Sequence, residues 1–167
     1  VGLFFFWDTI YNEKVRRITS KNTLRRFYKM AKLGRYSADR KKIEDLTATK
    51  TVEVAECGTI FTLNSATEFT VTLPSVASAG KGWWCKFIVK AAPAAADYIV
   101  TAAGSDTIVG VIVTGADGAA TDQAGTGQVE FKDGAAVEGD QLELVCDGVK
   151  WYVVGHCNAA TGIDMGA

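Results

Sequence analysis

Gly139–Cys157, GDQLELVCDGVKWYVVGHC, sets two alternating apolar runs on either side of an Asp-Gly pair. Leu142, Leu144 and Cys146 alternate with Gln141, Glu143 and Val145, the period of two expected of a half-buried strand. Asp147-Gly148 follows, a strong hairpin signal because both residues tolerate positive φ. Then Trp151, Val153 and Gly155 alternate with Tyr152, Val154 and His156. A two-residue turn pairs Cys146 with Val149, and a four-residue turn pairs Cys146 with Trp151. Either closure puts Leu142, Leu144, Cys146, Trp151 and Val153 on one face, since only an odd shift inverts a strand.

Short alternating runs continue upstream. Thr51–Glu56, Thr59–Leu63, Phe69–Leu73 and Trp83–Lys90 read as strands, as do Tyr98–Thr101, Thr107–Val113 and Gln128–Lys132. Pro74 ends one of them. Ser75–Gly82 and Ala91–Ala96 read as loops, and Thr114–Gly127 as a long flexible loop without a large apolar residue. Two packed antiparallel sheets bury such faces, so the expected fold is all-β: an antiparallel β-sandwich, jelly-roll-like, with its body at residues 51–157. The tail, 158–167, is small and polar.

Charge divides the chain. Residues 1–50 carry 13 Lys and Arg against 5 acids, +8, whereas residues 51–167 carry 5 against 14, −9. Within the basic part, residues 1–29 open VGLFFFWDTIY, an apolar run too short for a membrane span and without a preceding basic segment. Leu24-Arg25-Arg26 back-translates to a ribosome-binding sequence shortly before Met30. Residues 1–29 are therefore expected to be translated leader, with a basic amphipathic helix as the other reading. Residues 30–50 form a basic N-terminal arm, extended or partly helical, that carries Lys32, Arg35, Tyr36, Arg40, Lys41 and Lys42. It reads either as a docking arm for an acidic surface or as a solvated terminus. Arg40-Lys41-Lys42 with Tyr36 as its one stacking residue is too weak a signal for nucleic acid.

Catalytic chemistry is not indicated. The single His, His156, shares a face with Tyr152 and Val154, and its neighbour Cys157 points the other way. Cys57, Cys85, Cys146 and Cys157 lack metal-ligand spacing, and Cys146 and Cys157 lie too far apart along the hairpin to bridge. Thr107–Gly118 has no phosphate-loop Lys. Asp117 and Asp122 offer carboxylates for Ca²⁺, but without EF-hand spacing. No metal or cofactor is expected. Trp83 and Trp84 point to opposite faces, one toward the core and the other toward an interface, a glycan or the second sheet.

The segments GTIFTLNSATEFTVTLPS (58–75), KFIVKAAP (86–93), SDTIVG (105–110) and GDQLELVCDGVKWYVVG (139–155) resemble capsid decoration (cement) proteins of tailed bacteriophages. Related modules occur in tail-fibre and other appendage proteins. The resemblance implies a jelly-roll-like fold and a homotrimer on the outer capsid surface of the virion, synthesised in the host cytoplasm. It further implies an N-terminal arm contacting neighbouring subunits, the major capsid protein as partner, and no catalytic residues. Nucleic acid and membrane are not expected partners. Lys32, Arg35, Tyr36, Arg40, Lys41, Lys42, Trp83 and Trp84 are the candidate partner-binding residues. The alternative is a receptor- or glycan-binding domain of a fibre or appendage.

Overall fold

The computed structural model describes residues 40–65, 67–115 and 120–166, with the side chains of 120–124 outside that description. The protein divides into residues 1–40 and 41–167. The second unit is a β-sandwich, as expected. Twelve strands are described: β1 (Ile43–Leu46), β2 (Lys50–Thr51), β3 (Ile60–Leu63), β4 (Phe69–Thr72), β5 (Trp84–Val89), β6 (Tyr98–Thr101), β7 (Ile108–Thr114), β8 (Ala120–Thr126), β9 (Gln128–Phe131), β10 (Gln141–Cys146), β11 (Trp151–Cys157) and β12 (Ile163–Asp164). One sheet has the order β1-β3-β5-β10-β11-β7-β8, the other β12-β9-β6-β4-β2.

The expected all-antiparallel pairing is corrected. Strands β1 to β7 alternate between the two sheets, so the chain winds around the core. Two crossings return it to the same sheet in the same direction. Ile43 therefore lies beside Ile60 and Ile60 beside Lys86, both in parallel, and in the other sheet Lys50 lies beside Val71 and Phe69 beside Tyr98, again parallel. From β7 onward the chain mostly folds back on itself. β7 and β8 pair antiparallel, as do β10 and β11. Cys146 faces Trp151, so the final hairpin closes with four residues. The Asp147 carboxylate accepts from the Val149 and Lys150 amides at 2.8 Å each, which holds the turn.

Other boundaries move for local reasons. The sandwich begins at β1, inside the stretch assigned to the arm, because Leu46 is buried against the core. Val54–Glu56 is a 3₁₀ turn instead of strand. Its Val54 carbonyl accepts the indole N–H of Trp83 at 2.8 Å. Within Ser75–Gly82 one helical turn, α1 (Val76–Ala79), is capped by the Ser75 hydroxyl. The expected loop Thr114–Gly127 contains β8. The tail supplies β12, whose Ile163 is buried opposite Phe131. Asp140 fastens that tail: its carboxylate, buried, accepts from the Val137 and Asn158 amides at 2.9 Å each.

The core lies between the sheets and matches the expected hairpin face: Leu142, Leu144, Cys146, Trp151 and Val153 are all buried. Trp83 meets Trp151 edge to face at 5.4 Å. Phe61 stacks on Phe87, and Phe69 tilts against Tyr98. Gly110, at the irregularity between β7 and β8, has φ +155°, and a Cβ there would lie 1.9 Å from the Val153 carbonyl oxygen. Only glycine lets β7 approach β11 so closely. The four cysteines are free, with Cys85, Cys146 and Cys157 buried and Cys57 exposed.

Candidate binding surface

The outward side of the seven-stranded sheet is where chemistry and shape meet. Register fixes its rows. One row runs Trp84, Val145, Tyr152, Val109; the next runs Ile60, Lys86, Glu143, Val154, Val111; the third runs Thr62, Ile88, Gln141, His156, Val113. On the four central strands, β5, β10, β11 and β7, eight outward side chains are apolar or aromatic. Four are polar: Lys86, Gln141, Glu143 and His156. A sheet face left to water normally alternates to polar residues, so this face is built to be covered. Val154 is 53% exposed, Tyr152 45% and Val145 39%. A depression of about 400 Å³ opens among them, lined by Lys86, Gln141, Leu142, Glu143, Val145, Tyr152, Val154 and His156.

Electrostatics tune one end of the surface. Backbone amides of Lys150 and Val149 hold the Asp147 carboxyl below its ordinary pKa. Its charge in turn, through a hydrogen bond to the phenol, raises that of Tyr152. At the opposite rim Lys90 pairs with Asp45 at 2.5 Å. No side-chain hydrogen bond or ion pair occupies Lys86, Glu143 or His156 among the described residues.

Of the residues singled out in the sequence, Lys32, Arg35 and Tyr36 lie outside the described residues. Arg40, Lys41 and Lys42 are exposed. Lys41 sits 5.8 Å over the Trp84 ring, so the structure brings these two together. Lys42 instead pairs with Glu44 at 3.1 Å and Glu56 at 3.6 Å. Trp83 is the core tryptophan, 4% exposed, and is unavailable to a partner. Trp84 is half-buried on the outward face, against Gly58.

His156 points outward and Cys157 inward, so they cannot act together. Asp117 and the side chain of Asp122 fall outside the description. Among the described residues no three His, Cys, Asp or Glu side chains gather to hold a metal. No helix among them is long and apolar enough to cross a membrane.

The apolar field of Val109, Val111, Val145, Tyr152 and Val154 was missed as a site. Its signal was present in Ile108–Thr114, IVGVIVT, which has no polar alternation and so needs cover on both faces. In comparisons with known proteins, no family model, no curated protein and no solved structure matches this chain.

Proposed function

We propose that this protein is a non-enzymatic structural protein of a virion, a decoration protein that binds the outer surface of an assembled capsid. The observation that supports the reading is the apolar outward face of the seven-stranded sheet. It is a broad surface suited to association through burial, and the resemblance of the sequence segments names the setting. Binding energy alone is the mechanism: a partner that binds only the assembled shell stabilises it by mass action. The cations Lys32, Arg35, Arg40, Lys41 and Lys42 reach the major capsid protein, and copies associate with one another, three by the resemblance. Residues 43–167 hold 6 Lys and Arg against 16 Asp and Glu, a net negative charge that opposes non-specific association of the remaining surface.

Empty shells test this. The full-length protein should decorate them uniformly over the head, raise their melting temperature, and bind more weakly as salt rises. A variant with those five cations changed to Gln should lose most of the salt dependence, because exposed charges are screened beyond about 8 to 10 Å. Label confined to a tail or vertex overturns the reading.

A second reading, a glycan-binding appendage domain, draws on the depression, which Tyr152 lines together with Gln141, Glu143 and His156. Saturable binding of a host glycan, abolished in Tyr152→Ala, would favour it.

A further inference from the structure

We propose that the depression on the outward face binds a small zwitterion of the phosphocholine kind, its anion held by Lys86 and its alkylated ammonium by Glu143 beside Tyr152. The proposal rests on the glycan reading for its site and adds the charge pattern of the occupant.

Placement of the polar residues comes first. β5, β10, β11 and β7 direct four polar side chains outward, and all four, Lys86, Gln141, Glu143 and His156, line the depression. Of the eight apolar or aromatic ones, only Val145, Tyr152 and Val154 do. Polar residues that merely broke up a wet face would be scattered over it. Polar groups converging on a partly apolar recess of about 400 Å³, within the roughly 300–1,000 Å³ of small-molecule sites, form the pattern of a ligand site.

Charge then selects the occupant. Lys86 and Glu143 are register partners across β5 and β10, yet among the described residues no ion pair joins them or occupies either. A ligand that displaces water from both leaves one charge unpaired unless it carries both signs. An anion alone meets Glu143, and a cation alone meets Lys86. The ends of the depression differ as well. At one end Asp147 takes the hydroxyl of Tyr152, so an acid stands behind an aromatic ring with Val145 as its register partner, suited to a cation clothed in carbon. At the other, Gln141 and His156 are register partners and carry N–H groups that can donate to an oxyanion held by Lys86.

The single histidine gives the direct reading. In the unmodified full chain, phosphocholine should shift the His156 ring-proton resonances saturably. Titration calorimetry should show choline and inorganic phosphate each binding at least on the order of 10-fold more weakly than phosphocholine, as loss of a charged contact does. Lys86→Gln should reduce phosphocholine to the affinity of choline without weakening choline. Glu143→Gln should reduce it to the affinity of phosphate without weakening phosphate. Loss of fold cannot produce these opposite selectivities. Co-sedimentation with phosphatidylcholine vesicles would place the zwitterion on a lipid, and binding of the free molecule without it on a soluble compound or a glycan; both support the site.

No saturable shift at millimolar phosphocholine overturns the proposal. So does equal binding of phosphocholine, choline and phosphate, or binding indifferent to both substitutions. A neutral host glycan bound and lost in Tyr152→Ala, with phosphocholine unbound, overturns the proposal and keeps the glycan reading. When neither binds, both fall.

Discussion

The two ends of the sandwich are built by different rules. In β1 to β6 each strand pairs with one 17 to 29 residues away, reached by passing through the other sheet. In β10 and β11 the nearest partners, Cys146 and Trp151, are five residues apart, across a turn held by Asp147. The wound part gains its pairing only after distant segments meet, and the hairpin gains it locally. β5 joins them, parallel to β3 on one side and antiparallel to β10 on the other. Stability in the wound part should therefore depend on side chains that close the winding, and in the hairpin on its buried face.

The largest test of that contrast is at the hairpin's inward face. Trp151→Ala removes a fully buried ring packed on Trp83 and should cost about 3 to 5 kcal/mol in a urea titration. A loss near that of a surface change would detach the hairpin from the core.

Next comes the start of the winding. Leu46→Ala should cost about 2 to 3 kcal/mol, at the low end for a buried leucine because β1 is an edge strand. Deleting residues 30–42 should leave the melting temperature near that of the full chain, whereas deletion through 49 should lower it. Equal melting after both deletions would show that β1 contributes nothing.

A smaller effect comes from pH. Lys50 bridges Glu44 and Glu56 beside the first turn of the winding. The Lys50 hydrogen bond holds Glu44 below its ordinary 4.5. Burial pushes Glu56 upward, but its bonds to Lys50 and the Glu53 amide outweigh that and lower it too. Folded pKa values below the unfolded ones mean stability present above about 4.5 and lost as pH falls through the lower folded values. Lys50→Gln should flatten the fall in melting temperature below pH 4.5. An unchanged acid slope would assign acid sensitivity elsewhere.

The smallest effect tests the hairpin's register. Lys150→Ala, one position from Trp151, should change stability by less than about 0.5 kcal/mol. A change as large as that of Trp151→Ala would invert the assignment of faces.

The legibility of the sequence follows the same divide. Alternation in Gln141–Cys146 and Trp151–Cys157 states which side chains are buried, and Asp147-Gly148 states where the chain reverses, so the hairpin was readable. Alternation cannot state which sheet a strand enters, so the parallel winding of β1 through β6 was not. Short elements were lost where a tertiary bond outweighs local pattern. Val54–Glu56 reads as strand until the Trp83 indole claims the Val54 carbonyl, and Ile163 reads as tail until Phe131 covers it. At the surface, Trp84 was legible as a pair member and Lys41 as a cation, but their contact was not. The apolar field needed register across four strands, which no single stretch contains.

The free cysteines give the molecule its own clocks. Cys57 is open to reagent at once, while Cys85 in β5 and Cys146 in β10 are sealed in the core, with burial raising both thiol pKa values. A thiolate forms at either site chiefly when the structure around it opens. The labelling rate of Cys85 therefore times the opening of the strand that joins the wound part to the hairpin, and that of Cys146 times the hairpin beside it. Two adjacent strands of one sheet carry separate timers, and the difference between them measures whether the two parts of the molecule come apart together.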